Sequence, residues 1–464
     1  MKKLVLALAV AFLMAAPAFA AVQNVKVSGF VDSTYVNRQD FNFNQRFVGD
    51  HSRQSLFLTQ TGLRVDADLS DNVSTTVGLI NERVWGSISP IGTNTDAVDV
   101  YLAYVTMREF LYSPLTVTVG RQVFAFGNSL VFDATGPGGA NGGALDNVAN
   151  DLSMRSSLDA VRVTLDYKPL TIDIFMGKVA QGNVKGLGAQ KDNTDAYGIN
   201  ANYQLGDAMN TVVEAYVFGK NTGKGALTAG SARTPSDHLF APGLRASTNP
   251  VKGLNVQVEG ALQRGNSNPT GTLNQKRDGL ALQGMVSYAL QCEKLAKYKP
   301  TVSASYTYVS GDKSATGDNN YKNSAWDPMF ENQNGGTIFN SIFKLSNLQI
   351  LNATVSANPI ADVTTSLSWN GLWAAQKLTA GTEAGITTLG SSYLMQPDAA
   401  TNTFTPQVTS NKELGNEFDA NVSYAYTEDV KFGLNLGWFV PGRAFTAAND
   451  GVAKQAIASV GVNF

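Results

Sequence analysis

The chain has 464 residues, of which 43% are hydrophobic, 44 are glycine and only 16% are charged. Without residues 1–20 it carries 33 Lys+Arg (35 less Lys2 and Lys3) against 37 Asp+Glu, a net charge of −4 that gives no basis for a nucleic-acid partner. A single cysteine, Cys292, excludes an internal disulfide framework, so an exported chain of this length must be held together by other means.

At the N-terminus, Lys2 and Lys3 precede an apolar run from Leu4 to Ala16, followed by Pro17-Ala18-Phe19-Ala20-Ala21. This is the pattern of a secretory signal peptide cut after Ala20, because the apolar run is shorter than the roughly 20 residues that span a bilayer. The expected organisation is a signal peptide over 1–20 and one domain over 21–464.

Strands are predicted near 25–37, 55–69, 73–85, 98–107, 115–125, 158–167, 170–178, 196–204, 211–219, 239–248, 254–264, 280–290, 300–309, 346–357, 363–376, 413–426, 430–439 and 453–464, about eighteen in all. The pattern is period two. At 170–177, Leu170, Ile172, Ile174 and Met176 oppose Thr171 and Asp173. At 254–263, Leu254, Val256, Val258 and Leu262 oppose Asn255, Gln257, Glu259 and Gln263. At 430–438, Val430, Phe432, Leu434, Leu436 and Trp438 oppose Lys431, Gly433, Asn435 and Gly437. A soluble sandwich would show the same pattern in any one strand.

The connections discriminate between the two. Short ones (Ser70-Asp71-Asn72, Lys168-Pro169, Asn249 to Gly253, Asn358 to Asp362, Thr427-Glu428-Asp429) alternate with long polar stretches such as 126–157, 310–345 and 377–412. Short periplasmic turns alternating with long extracellular loops mark a transmembrane antiparallel β-barrel of the bacterial outer membrane. Tyr35, Trp85, Tyr167, Tyr203, Tyr288, Trp373, Tyr426 and Trp438 fall where strands meet the interfaces, as an aromatic girdle requires. The last strand points Ala456, Ala458, Val460, Val462 and Phe464 to one side. Its terminal aromatic resembles the signal by which the outer-membrane assembly machinery recognises its clients.

Five stretches resemble the alginate export family of outer-membrane channels. They are Val119-Gly120-Arg121-Gln122, Leu158-Asp159-Ala160-Val161-Arg162-Val163-Thr164-Leu165-Asp166-Tyr167, Ser310-Gly311-Asp312, Trp326-Asp327-Pro328-Met329-Phe330 and Leu414-Gly415-Asn416-Glu417-Phe418-Asp419. The resemblance covers most of the chain beyond the signal and implies an eighteen-stranded channel.

In a channel, the lining side chains and the bore decide which solutes pass. Opposition to the apolar face puts Arg64, Asp66, Asp68, Glu82, Arg162, Asp166, Asp173, Glu214, Arg245, Glu259, Glu417, Asp419 and Lys431 in the lumen. Acids outnumber bases there. A carrier of a polyuronate would need a lumen rich in Arg and Lys, so the expected selectivity is a weak cation preference for small hydrophilic or saccharide-like solutes. Arg121 follows the phase of Leu115, Val117 and Val119 toward lipid, unless Gly120 marks a bulge or Arg121 sits at the rim. The resemblance implies the inward placement, which adds Arg121 to the lining candidates.

Eighteen strands enclose a bore too wide for side chains alone to fill, and loop 126–157, with Gly136-Pro137-Gly138-Gly139 and Gly142-Gly143 as bends, is a candidate to narrow it. It could equally stay outside as a mobile loop. In 310–327, Asp312, Asp318, Asn319, Asn320 and Asp327 offer calcium-type oxygens, but their spacing fits no EF-hand. His51 and His238 have no serine motif beside them, and no haem-attachment or zinc spacing occurs, so neither catalysis, a cofactor nor a metal is expected. The competing reading is a structural sleeve that holds a partner, such as a cytochrome, inside the barrel.

Overall fold

The computed structural model describes residues 24–41, 43, 53–86, 98–135, 150–180, 194–223, 236–267, 275–312, 322–333, 335–377 and 408–464. The predicted signal peptide, residues 136–149 of loop 126–157, and Asp318, Asn319 and Asn320 lie outside them.

Nineteen strands form one sheet: β1 (Asn24–Gln39), β2 (Arg53–Ser70), β3 (Val73–Val84), β4 (Asp99–Met107), β5 (Leu115–Gln122), β6 (Leu158–Asp166), β7 (Leu170–Ala180), β8 (Thr194–Gln204), β9 (Val212–Thr222), β10 (Asp237–Val251), β11 (Leu254–Ser267), β12 (Gln275–Ala289), β13 (Thr301–Val309), β14 (Lys322–Asn323), β15 (Leu348–Ile360), β16 (Val363–Ala374), β17 (Glu413–Ala425), β18 (Val430–Pro441) and β19 (Ala453–Asn463). β14 is only two residues long and runs parallel to the start of β12 (Lys276 opposite Lys322). The other eighteen are the wall, each antiparallel to its neighbours in sequence, and the eighteen-strand reading of the sequence is borne out.

Closure comes from β1, which pairs with β2 along Asn24–Gln39 and with β19 from Phe30 opposite Asn463 to Gln39 opposite Lys454. No sheet edge is then left in the wall, the condition under which backbone polar groups are tolerated in hydrocarbon. The alternation sorts the two faces. Ile174, Met176, Val258, Leu262, Leu282 and Leu367 are exposed on the outside, while Asp173, Phe175, Glu259 and Gln283 between them are buried inside. Trp85, Tyr167, Tyr203, Tyr288, Tyr426 and Trp438 of the predicted girdle are exposed on the same outer face, with Trp85 stacked on Phe57 at 4.8 Å.

Gly120 has φ +125°, and a Cβ there would lie 2.1 Å from the Ala103 carbonyl oxygen. The glycine allows close approach to β4 without breaking register, as Val119, Gly120 and Arg121 face Val105, Tyr104 and Ala103 in turn. The phase is therefore kept, and the inward placement of Arg121 is corrected. Its guanidinium pairs bidentately with Asp159 at 2.8–2.9 Å, on the face that also exposes Val161, and donates to the Val100 carbonyl at 2.9 Å. Asp159 is the second residue of β6, at the end that follows a long loop, so the pair sits toward the outer rim and neutralises a charge that costs about 2–4 kcal/mol at mid-bilayer.

At the seam, the Gly29 and Phe464 backbones exchange hydrogen bonds of 2.8 and 3.0 Å, and a Cβ on Gly29 would lie 2.6 Å from both the Phe464 ring and the Gly62 carbonyl oxygen. A Gly29→Val substitution should therefore overpack the seam by about 1–3 kcal/mol. Heat-dependent mobility of the folded barrel on a gel should show a lower unfolding temperature than for the parent; an unchanged temperature would refute this account of the seam.

Candidate functional site

Two segments fold into the lumen. The first follows β5, where Phe124, Phe126, Leu130, Val131 and Phe132 are buried. The wall meets them with aromatic residues at lumen-facing positions: Phe132 lies 4.5 Å from Phe175 of β7, and Phe126 lies 5.3 Å from Phe218 of β9, which stacks on Tyr216 at 4.5 Å. Apolar inward residues on both sides would otherwise face water, and their burial against each other draws the segment in.

The second segment lies between β14 and β15, with Trp326, Met329, Phe330, Ile338, Phe339, Ile342 and Phe343 buried. Phe343 packs edge-on against Phe439 of β18 at 5.7 Å, and Phe43 stacks on the same ring at 5.5 Å. The two segments join inside the barrel. Asp133 N–H donates to the Phe330 carbonyl (2.8 Å), Phe330 N–H to Val131 (3.3 Å) and Asn332 N–H to Ser129 (2.9 Å), with the Phe132 and Phe330 rings 5.4 Å apart. The result is a septum across the bore.

The chain crossing the lumen is irregular apart from short helical turns such as Phe339–Ile342, and the N–H groups of its irregular stretches and of that helix's start need acceptors. Wall carboxylates supply them. Glu214 accepts from Gly127 N–H and Glu259 from Asn128 N–H, both at 3.0 Å, and Tyr216 donates to Glu259 at 2.7 Å. Glu82 takes Met154 N–H at 2.6 Å and the Ser153 hydroxyl at 2.8 Å. Glu417 accepts three successive N–H groups, from Thr337 (2.6 Å), Ile338 (2.9 Å) and Phe339 (2.6 Å), while the Thr337 hydroxyl donates to Asp419 at 2.7 Å. Asp151, beside the described end of loop 126–157, pairs with Arg38 of the wall and accepts from Ser341 at 3.2 Å, tying the first loop to the second.

The remaining lining candidates form local pairs. Arg64 and Asp66 bridge at 2.8 Å, with Thr76 donating to Asp66 at 2.6 Å. Arg162 pairs with Asp173 at 2.8 Å, its guanidinium 5.1 Å over the Phe124 ring. Arg245 reaches Glu214 at 3.3 Å, Asn128 at 3.0 Å and Gln257 at 2.8 Å. Asp166 accepts from Thr171 at 3.2 Å, and Lys431 is exposed. Of the calcium-type residues, Asp327 is taken up by Lys220 at 3.1 Å and by Met329 N–H at 2.8 Å. Burial opposes its ionisation, but Lys220 and then Arg277 outweigh that and hold its carboxyl below the usual range.

The sequence reading missed the second septum segment. Its signal was present: Trp326, Met329, Phe330, Ile338, Phe339, Ile342 and Phe343 are a dense apolar set inside a stretch taken as a polar external loop. Phe175 and Phe218, aromatic residues at lumen-facing positions of amphipathic strands, were the matching signal on the wall.

A family model described as alginate export matches residues 33–459. No curated protein sequence matches the chain. Among solved structures, Acinetobacter baumannii OccAB2 aligns with TM-score 0.57 at 9% identity, covering 96% of this chain and 99% of that one. Pseudomonas aeruginosa OpdQ aligns with TM-score 0.56 at 13% identity (96% and 98% covered), and the P. aeruginosa outer-membrane protein OprD with 0.54 at 8% (97% and 96%). At such identities the likeness is one of fold.

Replacing Glu417 with Ala would strip three N–H groups of their acceptor, at about 1–3 kcal/mol for each of the two that are buried, Ile338 and Phe339. The second segment should undock, and single-channel current should become larger and noisier; a current indistinguishable from the parent's would remove Glu417 from the anchoring role. Titration of Glu331 gives a second test. Burial, aided by Asp133 and opposed by the Gln333 N–H, pushes its carboxyl from 4.5 up to about 7. The docked loop therefore holds the proton more tightly than the free loop. Docking is strongest below pH 4.5, weakens as pH rises to about 7 and changes no further above it. Open-state current should be higher at pH 8 than at pH 5, and Glu331→Gln should flatten the difference.

Proposed function

Because this chain belongs to the alginate export family and is an outer-membrane channel for small solutes, we propose that it passes uncharged or weakly cationic saccharide-like solutes around its lumenal septum. The observation that carries this reading is the way the lumenal charges are used. Arg64, Arg162 and Arg245 are each matched by a wall carboxylate, Asp66, Asp173 and Glu214 respectively. Glu82, Glu214, Glu259 and Glu417 are buried against the septum's N–H groups. Paired arginines offer a polyuronate no run of free cations, and anchored carboxylates contribute little field to the water-filled part of the bore. Selectivity among ions is accordingly weak, and less cationic than a count of lumenal acids suggests.

A sleeve around a protein partner fits less well, because that partner would have to displace the chain's own buried septum. The reading needs no catalytic step. The final strand, ending at Phe464, serves assembly by outer-membrane machinery, and cleavage after Ala20 precedes insertion.

Planar-bilayer recording of the purified protein tests the proposal. Ion current from the protein alone is expected, with a reversal potential close to zero in a salt gradient and partial block by neutral oligosaccharides. Absence of current, or co-purification of a haem protein that must be removed before current appears, would overturn it. Asp66→Asn should move the reversal potential toward anion preference by freeing Arg64, whereas Glu417→Gln should alter conductance more than selectivity.

A further inference from the structure

Two groups of outward charges beyond the apolar band, one on β5–β8 and one on β10–β12, differ in their balance. On β5–β8, Arg121 pairs with Asp159 and Lys178 with Asp195, two bases against two acids. On β10–β12 the outward residues Phe240, Leu244, Val258, Leu262 and Leu282 are exposed, and the outward positions that follow toward the long loops are Arg264, Asp278 and Lys276. Lys322 joins them through the fold. The second long loop lays β14 beside the start of β12, levelling Lys322 with Lys276. Arg264 lies opposite Asp278, and both Arg264 and Lys322 bind that one carboxylate. Two cations thus share a single acid, and a third, Lys276, stands beside them. Arg264 and Lys322 remain 54% and 62% exposed, and Lys276 is exposed and has no ion pair among the described residues.

We propose that Arg264, Lys276 and Lys322 form a site for the phosphate groups of an anionic glycolipid in the outer leaflet. The site's height decides between sources. Its cations stand on the loop side of Leu262, Leu280 and Leu282, outward residues of the same two strands, where a headgroup lies when its acyl chains cover those side chains. Neighbouring strands about 4.8 Å apart set the three cations close enough to share one headgroup, and Asp278 fixes the orientation of two of them. A free phosphate would meet the same cations but gain nothing from the apolar wall beneath.

The test uses the full-length barrel in detergent, titrated with a bisphosphorylated glycolipid, with the same glycolipid after phosphatase treatment, and with inorganic phosphate, and read by native mass spectrometry and thermal shift. The phosphorylated lipid should bind and stabilise the parent, and the other two should do neither. The K276Q/K322Q variant, which leaves the Arg264–Asp278 pair in place, should bind about 25-fold more weakly, roughly fivefold for each cation removed. Lys178→Gln on the balanced face should bind like the parent. Equal binding of the dephosphorylated lipid, equal stabilisation by inorganic phosphate, or a K276Q/K322Q affinity within twofold of the parent's would each overturn the assignment. The comparison of the three probes on the parent stands even if the double variant does not fold.

Discussion

The backbone N–H and C=O groups of the wall strands and of the buried septum must find partners where little water reaches them, and the structure depends on that constraint. In the wall it is met by pairing β1 with both β2 and β19. In the lumen it is met differently: largely irregular chain crosses the bore, and carboxylates projecting from the wall take up its N–H groups, one each at Glu82, Glu214 and Glu259 and three at Glu417. A carboxylate has acceptor capacity for several donors and no proton to offer when ionised, which suits it to a segment with N–H groups to satisfy. The same acids that make the lumen look negative in sequence are the fittings that hold the septum.

The division of the wall into arcs follows from where the alternating pattern is interrupted. Most lumen-facing positions are polar, but Phe175, Tyr216 and Phe218 form an apolar patch on β7 and β9, and Phe439 forms another on β18. Each patch receives one septum segment. Arg162, which sits over the Phe124 ring while paired to Asp173, marks the border between the apolar patch and the wetter lumen next to it. The hydrophobic effect draws the segments inward, and the carboxylates fix where along the chain they stop.

The barrel itself was legible because strand alternation and the alternation of short and long connections are both local, repeated signals. Alternation also sorts charges by face: Glu259, Glu417 and Asp419 are buried against other parts of the chain, while Arg121, whose phase is kept through Gly120, pairs with Asp159 on the outer face. What alternation cannot express is whether a lumen-facing side chain meets water or another part of the chain. Glu417 meets Thr337, Ile338 and Phe339 some eighty positions earlier, a contact with no trace in the spacing of either segment. The inward turn of the second loop was written in its apolar residues, but a long stretch between strands was weighed by its polar ones.

The septum touches the wall at arcs far apart around the circumference: β9 and β11 through Glu214 and Glu259, β17 through Glu417, β3 through Glu82 and β1 through Arg38. A wide cylinder of paired strands is stiff along its hydrogen bonds but ovalises readily under sideways load. Struts across its diameter change that behaviour. Because those struts meet where Phe132 packs on Phe330, the cross-section of this barrel and the set of its septum are tied together as one braced frame.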